Sequence, residues 1–179
     1  DCVISVDIFG NANGYQQAVG YTPTCRGWYQ KAKKFKDDVV FSNPYKGASK
    51  GRAMITVAKA VIFDTPSTPG NEIEGAIGID IYIQTLADSV LNAKILNSGY
   101  TYMIDKQLGL IMHKNIPDMD QMYSVSDIEK PDAAFMTALT SGVAAGTNGK
   151  QDFVKEDGSC WYGAWENIQG TDYTMVMVV

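Results

Sequence analysis

The chain has no run approaching the roughly eighteen consecutive apolar residues of a membrane-spanning helix. Its first residues, DCVISVDIFG, lack the basic start and cleavage site of a signal peptide. Basic charge is also short. With 15 Lys and Arg against 20 Asp and Glu, the formal net charge is -5, and the lysines of KAKKFK are too few to build the basic face that a polyanion requires. Nucleic acid is therefore not expected as a partner, nor is an acidic membrane surface. Histidine is nearly missing. His113, in LIMHK, has no Ser or Cys nucleophile pattern beside it and reads as a half-buried strand residue, not a general base. GASKGR and GTNGK have the glycines of a phosphate loop without its spacing. Asp118, Asp120 and Asp127 lack the spacing, glycine and terminal glutamate of an EF-hand and read as a solvated acidic loop. Three cysteines, Cys2, Cys25 and Cys160, have no metal-ligand spacing. These absences argue against an enzyme, and neither a metal nor a cofactor is expected.

What the chain does have is an ordinary globular composition, 45% hydrophobic and 20% charged over 179 residues, enough for one medium domain or two small ones. NANG between CVISVDIF and GYQQAVGY predicts a first hairpin. After Thr24, a candidate N-cap, Trp28, Ala32 and Phe35 at i, i+4 and i+7 predict a short amphipathic helix with its lysines mostly outside the apolar face. GRAMITVAKAVIF reads as a long strand, and DTPSTPGN as the turn that ends it. In IEGAIGIDIYI, residues Ile73, Ile77, Ile79, Ile81 and Ile83 share one parity, predicting a core face, while Ala76 and Gly78 leave space beside Asp80 on the other. A helix is expected over about 84–96, broken by NSG. Strands resume with YTYMID and LGLIMH, then a helix near 133–139, then QDFVKE and SCWYGAW around Asp157-Gly158, and finally DYTMVMVV. Mostly hairpin-linked strands in both halves predict an α+β fold with antiparallel sheets, in two modules, 1–97 and 98–179.

One short stretch, YTPTCRGWYQKAKKF, sets an arginine beside a tryptophan and two tyrosines. Together with Pro44-Tyr45, RAMITVAKAV and GAIGIDIYIQTL, it resembles the extracellular double Cache (dCache) sensor domains, which are tandem PAS-like modules. GYTYMIDKQLGLIMHK is similar to the start of their membrane-proximal module. The resemblance covers most of the chain, and the long N-terminal helix of such domains is missing from it. Tyr21, four residues, Arg26-x-Trp28-Tyr29, then Tyr45 and Asp80 is similar to the pattern of the amino-acid-binding subset.

The resemblance implies a ligand pocket in the first module, with those six residues binding an L-amino acid or related amine-carboxylate. Their chemistry suits the role. Arg26 offers a planar fork to a carboxylate, and Trp28 an indole N–H. Tyr21 and Tyr45 offer oxygens and aromatic faces to an ammonium, and Asp80 the counter-charge. Tyr29 walls the pocket or fills the core. Asp80 inside an apolar strand must be paired if it is buried, because a buried lone carboxylate is costly. The competing reading is a structural Arg26-Asp80 pair in an interaction module of a larger surface protein, such as a calcium-channel auxiliary subunit. In the family such domains lie outside the cell or in the periplasm, joined through a flanking helix to a membrane-linked output. The expected location is therefore extracytoplasmic, with membrane contact only through a helix outside this chain. Hairpin register also sets Cys2 near Cys25, predicting a disulfide, with both thiols free as the alternative. Cys160 is expected to be buried beside Trp161.

Overall fold

The computed structural model describes residues 23–47, 51–62, 73–92, 95, 96, 98–130, 132–155 and 157–179. The expected first hairpin, Tyr21 and Cys2 lie outside them. After a 3-10 turn, Pro23–Cys25, the elements are α1 (Gly27–Lys34), β1 (Val39–Phe41), β2 (Tyr45–Lys46), β3 (Ala53–Ile62), β4 (Ile73–Tyr82) and α2 (Ile83–Val90). There follow β5 (Tyr100–Asp105), β6 (Gly109–His113), β7 (Tyr123–Ser124), α3 (Val125–Ile128), α4 (Ala133–Ala145), β8 (Gly149–Val154), β9 (Cys160–Asn167) and β10 (Tyr173–Val178). Strand β3 lies between β1 and β2 and also pairs with β4. The other six strands form a second sheet in the order β7-β6-β5-β10-β9-β8, antiparallel throughout. The fold is α+β, Cache/PAS-like, with antiparallel sheets. Two compact units divide the chain within β3 and β4: residues 23–42, 56–62 and 73–79 are described in one, and the other takes in 43–55 and 80–179.

In the first unit β1 runs antiparallel to β3, with Val40 opposite Ala58. Among its described residues one core cluster has Ala32, Val40 and Ala58 buried, with Trp28 and Ala76 packed against them. Trp28 and Ala32 share the inward face of α1, as their spacing predicts. Phe35 does not join them and is 42% exposed. The helix ends at Lys34, and Phe35 has left helical geometry (φ -115, ψ 57), which swings it off that face. The N-cap is Arg26, not Thr24. Thr24 sits in the preceding turn, where its carbonyl accepts Gln30 Nε2 at 2.6 Å.

The isoleucine face of β4 is not the core face that its parity predicts. Ile77 is 64% exposed and Ile79 55%. Ile73 and Ile81 are half-buried and Ile83, at the start of α2, is buried, so only the middle of that face is open; on the other face Glu74, Gly78 and Asp80 are exposed as well. An added Cβ on Gly78 would meet the Trp28 ring at 3.4 Å and Thr56 Cγ2 at 3.0 Å, so the small residues there admit an indole.

The second unit holds the larger core. Tyr100, Tyr102, Ile104, Leu110, Phe135, Leu139, Phe153, Trp165 and Val176 are among its buried members. Helix α4 starts on Asp132, whose side chain accepts Phe135 N at 2.8 Å, and runs past Leu139 to Gly146 at φ 66. Phe135 stacks 4.5 Å from Phe153. Gly163 leaves the room this needs, since a Cβ there would be 2.2 Å from Phe135 Cε2. Helix α2 stops earlier than expected, at Val90. Asn92 Nδ2 takes the Asp88 carbonyl at 2.6 Å, and Leu96 lies beyond at φ 50, 82% exposed.

Hairpin turns follow their residues. Asp105 Oδ1 accepts Gln107 N and Gly109 N, each at 2.8 Å. Gly158 has φ 81, the left-handed conformation that glycine adopts without strain. In the acidic loop Asp118 and Asp127 are exposed and Asp120 is half-buried, and each also accepts a backbone N–H. Asp118 Oδ1 accepts Asp120 N at 2.9 Å, Asp120 Oδ1 accepts Ala53 N at 2.7 Å, and Asp127 completes a capping box with Ser124. Among the described residues no group of three acidic, His or Cys side chains is set to hold a metal.

Candidate functional site

Five of the six sequence-selected residues are described; Tyr21 is not. Arg26, half-buried, caps α1 in an extended conformation (φ -75, ψ 145), accepting Gln30 N on its carbonyl at 3.0 Å. That conformation ends the 3-10 turn and starts the helix, so the guanidinium belongs to the first turn, at the positive end of the helix dipole. Trp28 and Tyr29 follow at once, both half-buried, their rings edge to face at 5.7 Å and 76°. Trp28 faces Gly78 across the first unit, which makes it a packing residue there as well as a candidate wall.

Tyr45 and Asp80 belong to the second unit, 35 residues apart in the chain. The Tyr45 hydroxyl donates to Asp80 Oδ1 at 3.1 Å. Asp80 is exposed, not buried as its apolar strand suggested. Neighbouring Ile77 and Ile79 are exposed with it, so the strand's hydrophobicity overstated its burial, and desolvation does not force the pairing. What holds this carboxylate is a tyrosine brought to it by β2. Arg52 stacks over the Tyr82 ring at 4.4 Å, a further cation on an aromatic face.

The expected Cys2–Cys25 pairing falls on Cys2, outside the described residues; Cys25 is an exposed thiol in the 3-10 turn. The expectation for Cys160 needs correction. Cys160 is exposed, opposite the exposed Val154 at the turn end of the β8–β9 ladder.

The sequence reading missed a second polar cluster. His113 is fully buried, not half-buried, and its Nε2 lies 2.9 Å from Glu129 Oε1. Asn115 N donates to His113 Nδ1 at 3.0 Å, so the proton of the neutral ring sits on Nε2, which donates to Glu129. The Tyr100 hydroxyl donates to the same oxygen at 2.7 Å. Burial would raise the Glu129 carboxyl, but the hydrogen bonds from His113 and Tyr100, together with the electrostatic attraction of His113 and Lys155, hold the group below its ordinary value. Burial, reinforced by the Glu129 bond, pushes the Tyr100 phenol far above its usual value. Around the cluster opens a cavity of about 330 Å³. The one available signal was LIMHK itself: a histidine at a buried strand parity needs a partner, and Glu129 lies too far along the chain to be read as one.

Comparison with known proteins follows the same outline. Residues 6–88 match the family model described as the methyl-accepting chemotaxis protein-like first PDC sensor domain. The chain is 31% identical over 96 residues to the methyl-accepting chemotaxis protein McpB of Bacillus subtilis, 54% of this chain and 13% of that protein. It is 24% identical over 182 residues to PscA of Pseudomonas syringae pv. tomato, 94% of this chain and 27% of that protein. The chain thus spans well under a third of these relatives. Among solved structures, the ligand-binding domain of Mlp24 with asparagine has a TM-score of 0.62 at 20% identity, covering 94% of this chain and 61% of that one. Homologous domains are the extracellular sensor domains of membrane chemoreceptors, and no helix among the described residues is long and apolar enough to cross a membrane. Residues 6–88 are thus similar to the first PDC sensor domain of methyl-accepting chemotaxis proteins, and the chain has an α+β Cache/PAS-like fold.

Proposed function

We propose that this chain is the ligand-recognising part of an extracytoplasmic receptor and binds a small amine-carboxylate, most simply an L-amino acid, in a module of residues 1–97. Tyr21, Arg26, Trp28, Tyr29, Tyr45 and Asp80 form its site, and residues 98–179 form the membrane-proximal module. The observation that carries this reading is the Tyr45–Asp80 hydrogen bond, which orients an exposed carboxylate from a separate strand. Such a carboxylate is a preset counter-charge for an ammonium, while Arg26 at a helix start suits a carboxylate. The relatives are chemotaxis receptors, and Mlp24 was solved with asparagine, which supports the ligand class. Binding is read out through a flanking membrane helix by an output region outside this chain.

A screen of the common amino acids by titration calorimetry tests the proposal. Arg26→Ala removes the carboxylate's main partner, with an expected loss of about thirty- to several-thousand-fold in affinity. Asp80→Asn weakens amino acids strongly and simple carboxylic acids little. Unchanged amino-acid affinity in both variants overturns the site.

The exposed pair Ile77 and Ile79 favours a second reading, an interaction module that docks a partner through this strand. Absence of amino-acid binding in the screen, with association through that face, is its signature.

A further inference from the structure

Within the second unit, the cavity of about 330 Å³ is lined by Tyr100, Lys114, Ile128, Glu129, Lys155 and Trp161, among others. Its volume is at the small end of ligand sites. Two ammonium groups flank it. Lys114 Nζ lies 3.6 Å from the Tyr100 ring centroid, and Lys155 Nζ lies 3.7 Å from the Trp161 centroid. Lys155 also reaches the Tyr100 hydroxyl at 3.3 Å. Among the described residues neither lysine makes an ion pair. Aromatic faces hold both cations in place without neutralising them. Burial and the charge of Lys155 together lower the Lys114 pKa, the direction expected when like charges share one cavity.

The floor is a carboxylate with one side in use. Glu129 is only 7% exposed. Its Oε1 accepts from Tyr100 and His113, while Oε2 makes no hydrogen bond among the described residues. Oε2 is not among the buried polar atoms left without a partner, so it is open to the cavity as an acceptor. Lys130 and Asp157 line it as well, Asp157 with its Oδ1 accepting from Ser159 N and Oγ, so the cavity presents three lysines, two carboxylates and an apolar wall from Ile128 and the rings.

We propose that this cavity is a second ligand site, separate from the six-residue site, and that it takes a small 2-hydroxycarboxylate. The ligand carboxylate binds Lys114 and Lys155, its hydroxyl donates to Glu129 Oε2, and its short carbon chain lies against Ile128 and the aromatic rings. An amino acid is a poorer fit because its ammonium would face two lysines. Phosphate is poorer because a dianion would sit beside Glu129. A simple amine is poorer because lysines already occupy the aromatic faces.

Titration of the whole chain with glycolate, L-lactate, acetate, glycine and inorganic phosphate tests this, read by calorimetry and by the indole N–H signals of the three tryptophans. Glycolate and lactate are expected to bind more tightly than acetate and phosphate, and to shift the Trp161 indole while leaving Trp28 in place. Lys114→Met and Lys155→Met should each weaken glycolate by about tenfold or more, the loss of one charge-assisted hydrogen bond. Glu129→Gln should narrow the preference of glycolate over acetate. Arg26→Ala, which removes the carboxylate partner of the amino-acid site, should leave glycolate binding unchanged, which separates the two sites, whichever of the two fails. No saturable glycolate binding, equal affinity for acetate, or glycolate binding that survives both lysine changes overturns the proposal.

Discussion

The described residues of the two compact units bury different kinds of side chain. In the first, one core cluster has Ala32, Val40 and Ala58 buried, and Trp28 lies half-buried over a glycine. In the second, aromatic and branched side chains from α4 and a six-stranded sheet form a core cluster, and buried Glu129 is held by His113 and Tyr100. Two carboxylates within the second unit also differ. Asp80 stands exposed with a tyrosine hydroxyl on it, whereas Glu129 is buried and accepts from two donors. Water can satisfy an exposed polar group, and an enclosed one must be paired.

The sharpest way to break this comparison is to truncate one residue in each core. Phe135→Ala should cost about 3–5 kcal/mol in urea unfolding, because its ring fills the space above Gly163 and beside Phe153. Val40→Ala should cost about 2 kcal/mol, since only two methyl groups leave a small cluster. Equal costs would mean that the first unit is better packed than its residues indicate.

Next in size is one chemical change made twice. Tyr100→Phe strips a donor from buried Glu129 and should destabilise by about 1–3 kcal/mol. Tyr45→Phe strips a donor from exposed Asp80 and should stay within about 0.5 kcal/mol, while weakening an amino-acid ligand.

The same pair predicts an acid response. Glu129 has a folded pKa below its unfolded value, near 4.3 for a free glutamate. Its contribution is therefore present above that unfolded value and is lost as pH falls through the lower folded one. Stability measured from pH 6 downward should fall in wild type, and Glu129→Gln should flatten that slope. An unchanged slope would remove Glu129 as its source.

Smallest of all, Ile77→Thr should move stability by no more than about 0.5 kcal/mol, because the side chain is on the surface. A loss near that of a core isoleucine would show the exposed face of β4 to be covered in solution.

Strand positions, the hairpin at Asp157-Gly158 and the α+β class were legible from the sequence, because alternation and turn chemistry are local. The exposure of β4 was not legible. Isoleucine parity marks an apolar face, yet Ile77 and Ile79 lie open, and Trp28, 50 residues earlier, rests on Gly78 of the opposite parity. The extent of α2 turned on Asn92 donating to the Asp88 carbonyl. The His113–Glu129–Tyr100 cluster was invisible for the same reason: its members come from three separate elements, and only packing brings one carboxylate oxygen within reach of both donors. Periodicity and turn chemistry are properties of the chain, so the sequence by itself determined most of the elements. Burial is a property of what lies across the gap, and only the tertiary structure decided which polar groups are enclosed and which face water.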